Sequence, residues 1–492
     1  MSTWLLGVDI GTSSCKTAVF DPDGQVVAQG GSEYPVSYPH KGWAEQDPRD
    51  WWDGVCRAIR DMICENAIDP SQIAGIGVDG QSWSAIALDS RGEVLCPTPI
   101  WTDTRSAEIC RETVRRIPEE RLFRLCGNPA QPGYTWPKIL WYRENRPDVF
   151  AKTEKILQSN SYIVYRMTSE ITQDLSQGYG LACFDMRNGR WDDEACETLG
   201  IPRRMLPEIV PCHQTVGRLT REAAEQTGLK EGIPVVAGGL DAACGTLGAG
   251  VVSSGQTQEQ GGQAGGMSIC IDQYAADPRL ILGFHVVPGR WLLQGGTTGG
   301  GGALKWLRET MCPEISFEEM SNLADAVPAG SGGVTFLPYM AGERSPIWNP
   351  NACGVFFGLN FGTNRGQIIR ACMEGVAYAL RHNLETADAA GARAETLRAM
   401  GGSANSRVWT QIKADVTGCG IEVPGSDTAT TLGAAILAGI GTGVWNSFEE
   451  AAARTVSVRG TYEPDPENKA VYDRGYEVYR KLYENLKDLM NG

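Results

Sequence analysis

The sequence is poor in the patterns that build metal centres, disulfide scaffolds and membrane spans. Only four of its 492 residues are histidine, and its 15 cysteines include no C-x-x-C pair. Neither a histidine metal cluster, a zinc site nor a disulfide framework is therefore indicated. No run of 18 apolar residues occurs, and the N-terminus lacks the basic and apolar regions of a signal peptide. We expect a reduced, cytoplasmic protein with no membrane partner.

Basic residues are also scarce. The chain has 44 lysines and arginines against 59 aspartates and glutamates, a net charge of −15. A chain of this charge is unsuited to nucleic acids and anionic membranes, so we expect no nucleic-acid partner. An anionic substrate then needs local positive groups or a metal ion. The length and the 42% apolar content predict two or more globular domains.

A common phosphate-binding motif is missing as well. The dipeptide Gly-Lys never occurs, so the chain has no P-loop. Instead, Asp9-Ile10-Gly11-Thr12-Ser13-Ser14-Cys15-Lys16 lies between two expected strands at residues 4–8 and 17–20. The turn offers backbone N–H groups and hydroxyls to an anion, Lys16 adds a positive charge, and Asp9 can hold Mg²⁺ through water. An ordinary Gly-Thr hairpin remains the alternative.

The second half of the chain repeats this layout. Residues 261–272 place small residues before an apolar run that ends in Asp272, as the segment from Thr17 to Asp21 does. Two such hairpins, one in each half, predict a nucleotide bound between two related domains. We expect these domains to comprise residues 1–245 and 246–492.

Strand and helix signals alternate along both halves, which predicts layered α/β domains. The expected strands include residues 73–79, 85–88, 99–101 and 235–239, and the expected helices include 301–310, 367–385, 468–490 and one that opens at Asp47-Pro48.

Acidic residues follow predicted strand ends, where loops converge in such domains. They are Asp9, Asp79, Asp103 and Asp241. Asp241 lies among small residues, where a carboxylate can accept the proton of a sugar hydroxyl that attacks a γ-phosphate. The alternative is that it caps a helix beginning at Ala242. Asp103 is a candidate ligand of the substrate or of metal-bound water, or a structural partner of Arg105.

Two glycine-rich segments are candidates for close approach of a nucleotide. Residues 295–302 precede a predicted helix, and a flexible helix entry is the alternative. Gly401-Gly402-Ser403-Ala404-Asn405 follows a predicted strand. There a flat base fits against bare backbone with Asn405 as a polar contact, unless the glycines simply make a turn.

Together these motifs resemble the FGGY carbohydrate kinases, and within that family the xylulokinases, over nearly the whole chain. The resemblance is carried by G-W-A-E-Q-D-P at 42–48, W-T-D-T-R at 101–105, G-N-P-A at 127–130, Y-T-W-P-K-I-L-W at 134–141, T-F-L-P-Y-M-A-G-E-R-S-P at 335–346 and G-V-F-F-G-L at 354–359. Several long matches in one order make it specific.

The resemblance implies the actin/hexokinase/heat-shock-ATPase fold, a ribonuclease H-like α/β duplication of two domains with a central cleft. It implies ATP-dependent phosphorylation of a sugar or polyol hydroxyl with Mg²⁺, and it suggests a homodimer. It assigns Asp241 as the general base, Asp9 to Mg²⁺, Thr12 and Ser14 to the first phosphate loop, Gly262 and Gln263 to the second, and Gly301, Lys305, Gly402 and Asn405 to the nucleotide.

Three departures from the family pattern bear on ATP and on the sugar. The second loop usually reads Gly-Thr-Ser-Gly, whereas Gly262-Gln263-Ala264-Gly265 lacks both hydroxyls and keeps backbone N–H groups and the Gln263 amide as donors. The substrate motif Gly-Gln-Met-His is replaced by Gly80-Gln81-Ser82-Trp83, and an expected Lys-Asp pair by Asn160-Ser161.

We therefore expect a cytoplasmic kinase that converts D-xylulose to D-xylulose 5-phosphate, with Gln81, Ser82, Trp83, Asp103 and Asp241 around the sugar. One alternative is a kinase for another ketose, sugar acid or polyol, such as ribulose, gluconate or a sugar alcohol. Another is a weakly active sugar-sensing protein on the same scaffold. The retained aspartates favour an enzyme, because a sensor needs no general base.

Overall fold

The computed structural model describes residues 3–425 and 428–491. Within this part the chain forms two compact units, each assembled from separate stretches of sequence. The first contains residues 3–252, 282–291 and 428–456, and the second contains residues 253–281, 292–425 and 457–491. No described helix combines the length and apolarity that a bilayer crossing requires.

Strands and helices alternate along both units. The strands are β1 (Trp4–Ile10), β2 (Ser14–Phe20), β3 (Val26–Glu33), β4 (Glu45–Gln46), β5 (Ile73–Gly80), β6 (Ile86–Leu88), β7 (Thr98–Pro99), β8 (Lys155–Leu157), β9 (Thr172–Asp174), β10 (Phe184–Asp185), β11 (Arg190–Trp191), β12 (Glu208–Val210), β13 (Thr215–Arg218), β14 (Pro234–Val236), β15 (Gly239–Leu240), β16 (Gln256–Gly261), β17 (Gly265–Ile271), β18 (Ile281–Phe284), β19 (Trp291–Thr297), β20 (Thr335–Leu337), β21 (Val355–Phe357), β22 (Thr396–Met400), β23 (Gly420–Pro424) and β24 (Val458–Tyr462). The helices are α1 (Pro48–Glu65), α2 (Ala107–Arg116), α3 (Glu119–Cys126), α4 (Thr135–Asn145), α5 (Pro147–Lys152), α6 (Ser159–Thr168), α7 (Asp193–Leu199), α8 (Arg221–Thr227), α9 (Asp241–Gly248), α10 (Gly301–Met311), α11 (Phe317–Asp325), α12 (Arg365–Ala389), α13 (Arg407–Thr417), α14 (Ala429–Gly441), α15 (Phe448–Thr455) and α16 (Lys469–Asn491).

A mixed sheet forms the core of the first unit. Its order is β13-β14-β5-β1-β2-β3, and β15 also pairs with β5. β1 and β2 make an antiparallel hairpin, and β5 lies parallel to β1 on the other side. Helix α1 opens at Pro48 because the Asp47 carboxylate accepts the Arg49 N–H and proline is tolerated at the first helical position. Its apolar face, with Trp51 and Ile59, is fully buried in the core of this unit.

Helix α14 comes from late in the chain and packs on this sheet at backbone distance. Gly7 and Gly77 are paired on β1 and β5. A Cβ at either position would come within 1.9 Å of an α14 carbonyl oxygen, that of Thr431 or that of Ala434. Glycine is therefore required at both positions, and the close packing brings Thr430 beside the end of β1.

The second unit begins its sheet in the same way. β16 and β17 form an antiparallel hairpin, and β22 lies parallel to β16 on the other side. β23 and β24 continue the sheet beyond β22. The long helix α12 is started by a capping box in which the side chains and backbones of Asn364 and Gln367 bond reciprocally. A hairpin flanked by a parallel strand in each unit confirms the predicted α/β duplication.

Several element boundaries differ from the sequence prediction for local reasons. The strand expected at 235–239 is two strands, β14 and β15, because Gly238 between them is left-handed at φ +78°. The strand expected at 99–101 ends at Pro99, since the Asp103 N–H bonds to the Ile100 carbonyl and closes a turn. The first hairpin is longer than expected, so its turn comprises only residues 11–13.

Candidate active site

Three aspartates lie at the carboxyl ends of adjacent strands in the first unit. Asp9 on β1 is the register partner of Asp79 on β5. Asp79 is in turn the partner of Gly239 on β15, two residues before Asp241. Loops and ligands meet at this edge of α/β sheets. The parallel register therefore brings together two predicted site residues, Asp9 and Asp241, and one acid to which no role was assigned, Asp79.

Asp9 is almost completely buried, with 5% of its surface exposed. Burial raises its pKa, and the nearby Lys16 and a hydrogen bond from the Thr430 hydroxyl, at 3.1 Å to Oδ2, oppose that rise. Thr430 was not found from the sequence, because it is 421 residues away. The sequence signal that could have indicated this contact is the run of small residues in α14, which is typical of a helix that packs closely on another element.

Asp79 is fully buried. Its register partner on β1 is Asp9, and no donor in the described part of the chain bonds to its carboxylate oxygens. Burial, reinforced by the charge of Asp9, raises the pKa of Asp79 well above its ordinary value. The sequence indicated this residue only as one of several acids at a strand end.

Asp241 is the first residue of α9, and Leu240 occupies the capping position before it. Its Oδ1 accepts the N–H of the adjacent Ala242 at 2.6 Å, so the carboxylate contributes to the helix start without being the cap residue itself. Burial, together with the charge of Asp9, raises the pKa of Asp241 to about 7. A carboxylate with this pKa is matched to proton transfer near neutral pH.

The first predicted phosphate loop is the turn between β1 and β2. The Gly11 N–H bonds to the Ser14 carbonyl, and the Thr12 hydroxyl accepts the Trp101 indole N–H at 2.9 Å. The Thr12 proton is therefore left to donate to an anion. Ser13 and Lys16 are exposed, and Lys16 makes no ion pair with the described residues. The hairpin thus presents hydroxyls and a cation beside Asp9.

The predicted sugar residues Gln81, Ser82 and Trp83 follow β5. Gln81 is buried, and its amide donates to the Gln46 side chain at 3.0 Å. Ser82 is half-buried. Trp83 has left-handed backbone, with φ of 59°, an uncommon conformation for a large side chain.

The indole of Trp83 is held edge-on by two tyrosine rings. Its centroid lies 4.7 Å from that of Tyr134 and 5.5 Å from that of Tyr179. Gly180 leaves room for it, since a Cβ there would lie 2.3 Å from the indole. The Trp83 Nε1 is buried and has no acceptor among the described residues. Buried donors without an acceptor are rare in native structures, and a contact of Trp83 with the sugar stays a prediction.

Asp103 lies in a polar network of the first unit and is fully buried. Its carboxylate accepts the Ala44 N–H at 2.7 Å and pairs with Arg105 at 2.8 Å. Arg105 also pairs with Glu45 and stacks on the Trp43 ring at 3.8 Å. The structural pairing with Arg105 is thus present, and a role of Asp103 in substrate binding stays a prediction.

Asn160 and Ser161, which depart from the family pattern, are both buried. The Asn160 amide donates to Asp174 at 2.9 Å, and the Ser161 hydroxyl accepts the Gln158 N–H at the start of α6. Gln177 links this pair to the sugar motif, because its amide contacts both the Asn160 side chain and the Gln81 carbonyl at 3.3 Å.

The second predicted phosphate loop is the turn between β16 and β17. The carbonyls of Gly262 and Gln263 accept the N–H groups of Gly301 and Gly302 at 2.7 and 2.9 Å. Those two N–H groups at the start of α10 are therefore occupied. A Cβ at Gly302 would lie 2.3 Å from Gln263 Nε2, so the Gln263 amide lies over the first turn of α10.

The remaining predicted nucleotide residues lie in the second unit. Lys305 is exposed and loosely paired with Glu309 at 3.9 Å. A side chain at Gly402 would meet no atom within 4 Å, so a ligand has free access to this backbone. The Asn405 side-chain oxygen accepts a hydrogen bond from Arg459 on β24, a partner that the sequence did not indicate.

The donor set at Asp9 suits Mg²⁺. Among residues 3–425 and 428–491, no three His, Cys, Asp or Glu side chains are arranged to hold a metal ion directly. Mg²⁺ in phosphate-transfer sites is commonly held by one or two carboxylates, with waters and substrate phosphates as its other ligands. Asp9, beside Asp79 and with no ion pair from the described residues, fits that requirement.

Comparison with known proteins decides the family. The model of the FGGY family of carbohydrate kinases, N-terminal domain, matches residues 4–248, and that of the C-terminal domain matches residues 274–442. The chain belongs to the FGGY family of carbohydrate kinases. This carbohydrate kinase uses ATP as its co-substrate, as the sequence predicted.

Relatives agree over the full length of this kinase. Xylulose kinase of Escherichia coli is 32% identical over 488 residues, 99% of each chain. Gluconokinase of Bacillus subtilis is 28% identical and covers 100% of this chain and 96% of its own length. The crystal structure of xylulose kinase from Rhodospirillum rubrum superposes with a TM-score of 0.93 at 31% identity, and covers 99% of this chain and 100% of that one.

The altered second loop leads to a prediction about ATP. We expect the double variant Gln263→Thr plus Ala264→Ser to bind ATP less tightly if the Gln263 amide serves as a phosphate donor in place of the two hydroxyls. Loss of one hydrogen bond corresponds to a KM for ATP raised about 2- to 10-fold. The sugar KM serves as the internal control and should not change. A lower KM for ATP would show instead that the native loop is the weaker one.

Proposed function

We propose that this kinase converts D-xylulose and ATP to D-xylulose 5-phosphate and ADP. The observation that carries the proposal is the position of Asp241, which begins α9 beside Asp9 and has a pKa of about 7. The xylulose kinases that match along nearly the whole chain support the choice of sugar. A kinase for another ketose, sugar acid or polyol is the second candidate, favoured by the gluconokinase match and by Trp83 in place of the family's histidine.

The chemistry assigned to the chain's own residues is proton transfer and charge stabilisation. Asp241 accepts the proton of the sugar hydroxyl while the hydroxyl oxygen attacks the γ-phosphorus of ATP. The bond between the γ-phosphorus and the leaving oxygen of ADP breaks. Thr12, Ser14 and Lys16 donate to the transferred phosphate. Asp9 holds Mg²⁺, which neutralises charge on the phosphates when it is bound.

The nucleotide and the sugar are assigned to different segments. We propose that residues 1–245 carry the sugar site, the first phosphate loop and the base, and that residues 246–492 carry the second loop and the adenosine site. Gly11, Ser13, Gly262, Gln263, Gly301, Lys305, Gly402 and Asn405 would then contact ATP, and Gln81, Ser82, Trp83 and Asp103 would line the sugar site.

Location and assembly are inferred from composition and family. All 15 cysteines are free, which supports a reducing compartment such as the cytoplasm. The strongly negative charge supports the absence of a nucleic-acid partner. A homodimer is proposed from the family resemblance, and light scattering on the purified protein measures it.

Turnover of ATP across a sugar panel tests the proposal. D-Xylulose, D-ribulose, D-gluconate and a pentitol are compared by kcat/KM under saturating Mg-ATP. We expect D-xylulose to give the highest value. A larger value for gluconate or the pentitol would replace the proposed substrate, and sugar binding without turnover on any of the four would favour a sensor.

Trp83 is expected to set the choice among sugars. Its buried Nε1 and apolar face favour a small, linear ketose or polyol, so Trp83→His should change the ratio of kcat/KM between sugars by about tenfold or more. The matched control is Trp191→His, which removes a buried indole whose Nε1 already bonds to the Pro207 carbonyl. Unchanged ratios with only reduced stability would assign Trp83 to the core.

A further inference from the structure

Lys138 is a buried cation that binds three separate loops. It lies on α4 and is completely inaccessible to solvent. Its ammonium donates to the carbonyl oxygens of Trp83 at 2.8 Å, Ile100 at 2.8 Å and Gly133 at 2.7 Å. A lysine ammonium has three donors and no acceptor, so all of its hydrogen-bonding capacity is directed at backbone.

Two of these loops carry residues of the proposed sugar site, and the third carries Tyr134, whose ring packs against that of Trp83. The first contains Gln81, Ser82 and Trp83, the second leads from Ile100 to Trp101 and Asp103, and the third leads from Gly133 to Tyr134. The loops also touch one another directly, since a Cβ at Gly133 would lie 2.7 Å from the Trp101 carbonyl oxygen. Lys138 therefore lies where the three loops converge.

Burying the charge of Lys138 is energetically unfavourable, and no carboxylate of the described residues is in contact with it. Burial lowers its pKa to about 7, opposed by the charge of Asp103 and assisted by that of Arg105. A buried cation that carries no ion pair is uncommon, and a buried group with a strongly shifted pKa is a candidate for a functional role. A neutral apolar side chain would fill the same space but leave three carbonyls without a donor.

The left-handed backbone at Trp83 needs support of this kind. Such a conformation in a bulky residue persists only where the surroundings hold it. Lys138 holds the carbonyl of that very residue, while Tyr134 and Tyr179 contact its ring. Through this hydrogen bond Lys138 helps to fix the orientation of the Trp83 indole.

We infer that Lys138 is a positioning residue that holds the three sugar-site loops in register and thereby sets the affinity for the sugar. It contacts neither reactant and takes no part in phosphate transfer. The inference rests on the proposed function, in that these loops bind the sugar.

The test compares Lys138→Met with Arg143→Met in the full-length kinase. Arg143 lies on the same helix and also donates to a backbone carbonyl, that of Leu199, outside the sugar loops. We expect Lys138→Met to raise the sugar KM about tenfold or more, since three charge-assisted hydrogen bonds are lost. The KM for ATP should stay within about twofold, and Arg143→Met should leave both constants near those of the wild type.

A conservative variant covers the case in which Lys138→Met does not fold. Lys138→Arg keeps the charge, but a planar guanidinium cannot reproduce the tetrahedral arrangement of an ammonium. We expect its sugar KM to rise several-fold, less than in Lys138→Met, with the KM for ATP unchanged. Equal changes in both KM values, or a lowered melting temperature with an unchanged sugar KM, would overturn the inference.

Failure of the inference is distinguishable from failure of the proposed substrate. All variants are assayed on the sugar of the panel for which the wild type has the highest kcat/KM. If that sugar is not D-xylulose, the proposed substrate is wrong and the Lys138 comparison still applies. If the wild type phosphorylates D-xylulose and the sugar KM of Lys138→Met is unchanged, only the role of Lys138 is wrong.

Discussion

Replacement of Asp241 by alanine is expected to lower kcat by about 10²–10⁴-fold, the usual contribution of a general base. Sugar binding should survive in weakened form, because the loops that follow β5 and β7 do not depend on this carboxylate. Steady-state kinetics and direct sugar titration measure the two effects separately. Near-normal turnover in Asp241→Ala would remove the residue from the mechanism.

The pH dependence gives a second measurement of the same group. Asp241 must be ionised to accept a proton, and its pKa is about 7. In the wild type kcat/KM should therefore be high above pH 7 and fall about tenfold per unit as the pH drops below it. If the pKa of Asp241 were that of an unperturbed aspartate, kcat/KM would begin to fall only near pH 4.

A matched control distinguishes the catalytic role of Asp241 from its contribution to the start of helix α9. Asp192 lies at another helix start in the first unit, where it is the capping residue of α7 and its carboxylate accepts the Ala195 N–H at 2.8 Å. Asp192→Asn should retain capping and activity, because asparagine caps as well as aspartate. Asp241→Asn should lose activity to nearly the extent of Asp241→Ala, because an amide cannot take the proton.

Asp9→Asn is expected to raise the Mg²⁺ concentration needed for half-maximal activity and to depress turnover without unfolding the protein. The amide keeps the size of the side chain and a hydrogen-bond acceptor for Thr430, but loses the charge that attracts the cation. A Mg²⁺ titration at fixed ATP gives the shift. We expect at least about tenfold, since hard cations depend strongly on ligand charge.

The control for this variant lies at the other end of the same hairpin. Asp21 follows β2, and its carboxylate accepts the N–H groups of Asp23 and Gln25 in an exposed turn. Asp21→Asn should leave Mg²⁺ dependence unchanged. If Asp9→Asn has the Mg²⁺ dependence of the wild type and an intact thermal melt, Asp9 does not hold the metal.

Short-range features of the fold were predictable from the sequence. The hairpin at Gly11, its repeat near Gly262 and the helix that opens at Asp47-Pro48 are all present. Each depends on residues within one turn or one strand of one another, where small residues, proline and capping side chains act on adjacent backbone. The predicted strand boundaries were wrong at Gly238 and Ile100, because a single left-handed residue or one hydrogen bond of a turn is enough to end a strand.

The candidate site was predictable only in part. The proximity of Asp9 and Asp241 was predictable because acids at strand ends meet along a parallel edge. The partners of the predicted residues were not found, such as Thr430 for Asp9 and Arg459 for Asn405. They lie on elements far away in the chain, and no local pattern marks a hydroxyl or a guanidinium as the one that will arrive there.

The sequence by itself determined the chemistry this kinase has available: the carboxylates, the hydroxyl-bearing turn, the glycines and the order of strands and helices. Only the tertiary structure decided which of these groups act together. It put Asp79 and Thr430 beside Asp9, and it put Lys138 where three loops up to 55 residues away in sequence meet. The physical reason is that strand register and helix packing at glycine positions set the distances between remote side chains. A buried charged group then forms hydrogen bonds with the backbone groups that those distances bring within reach.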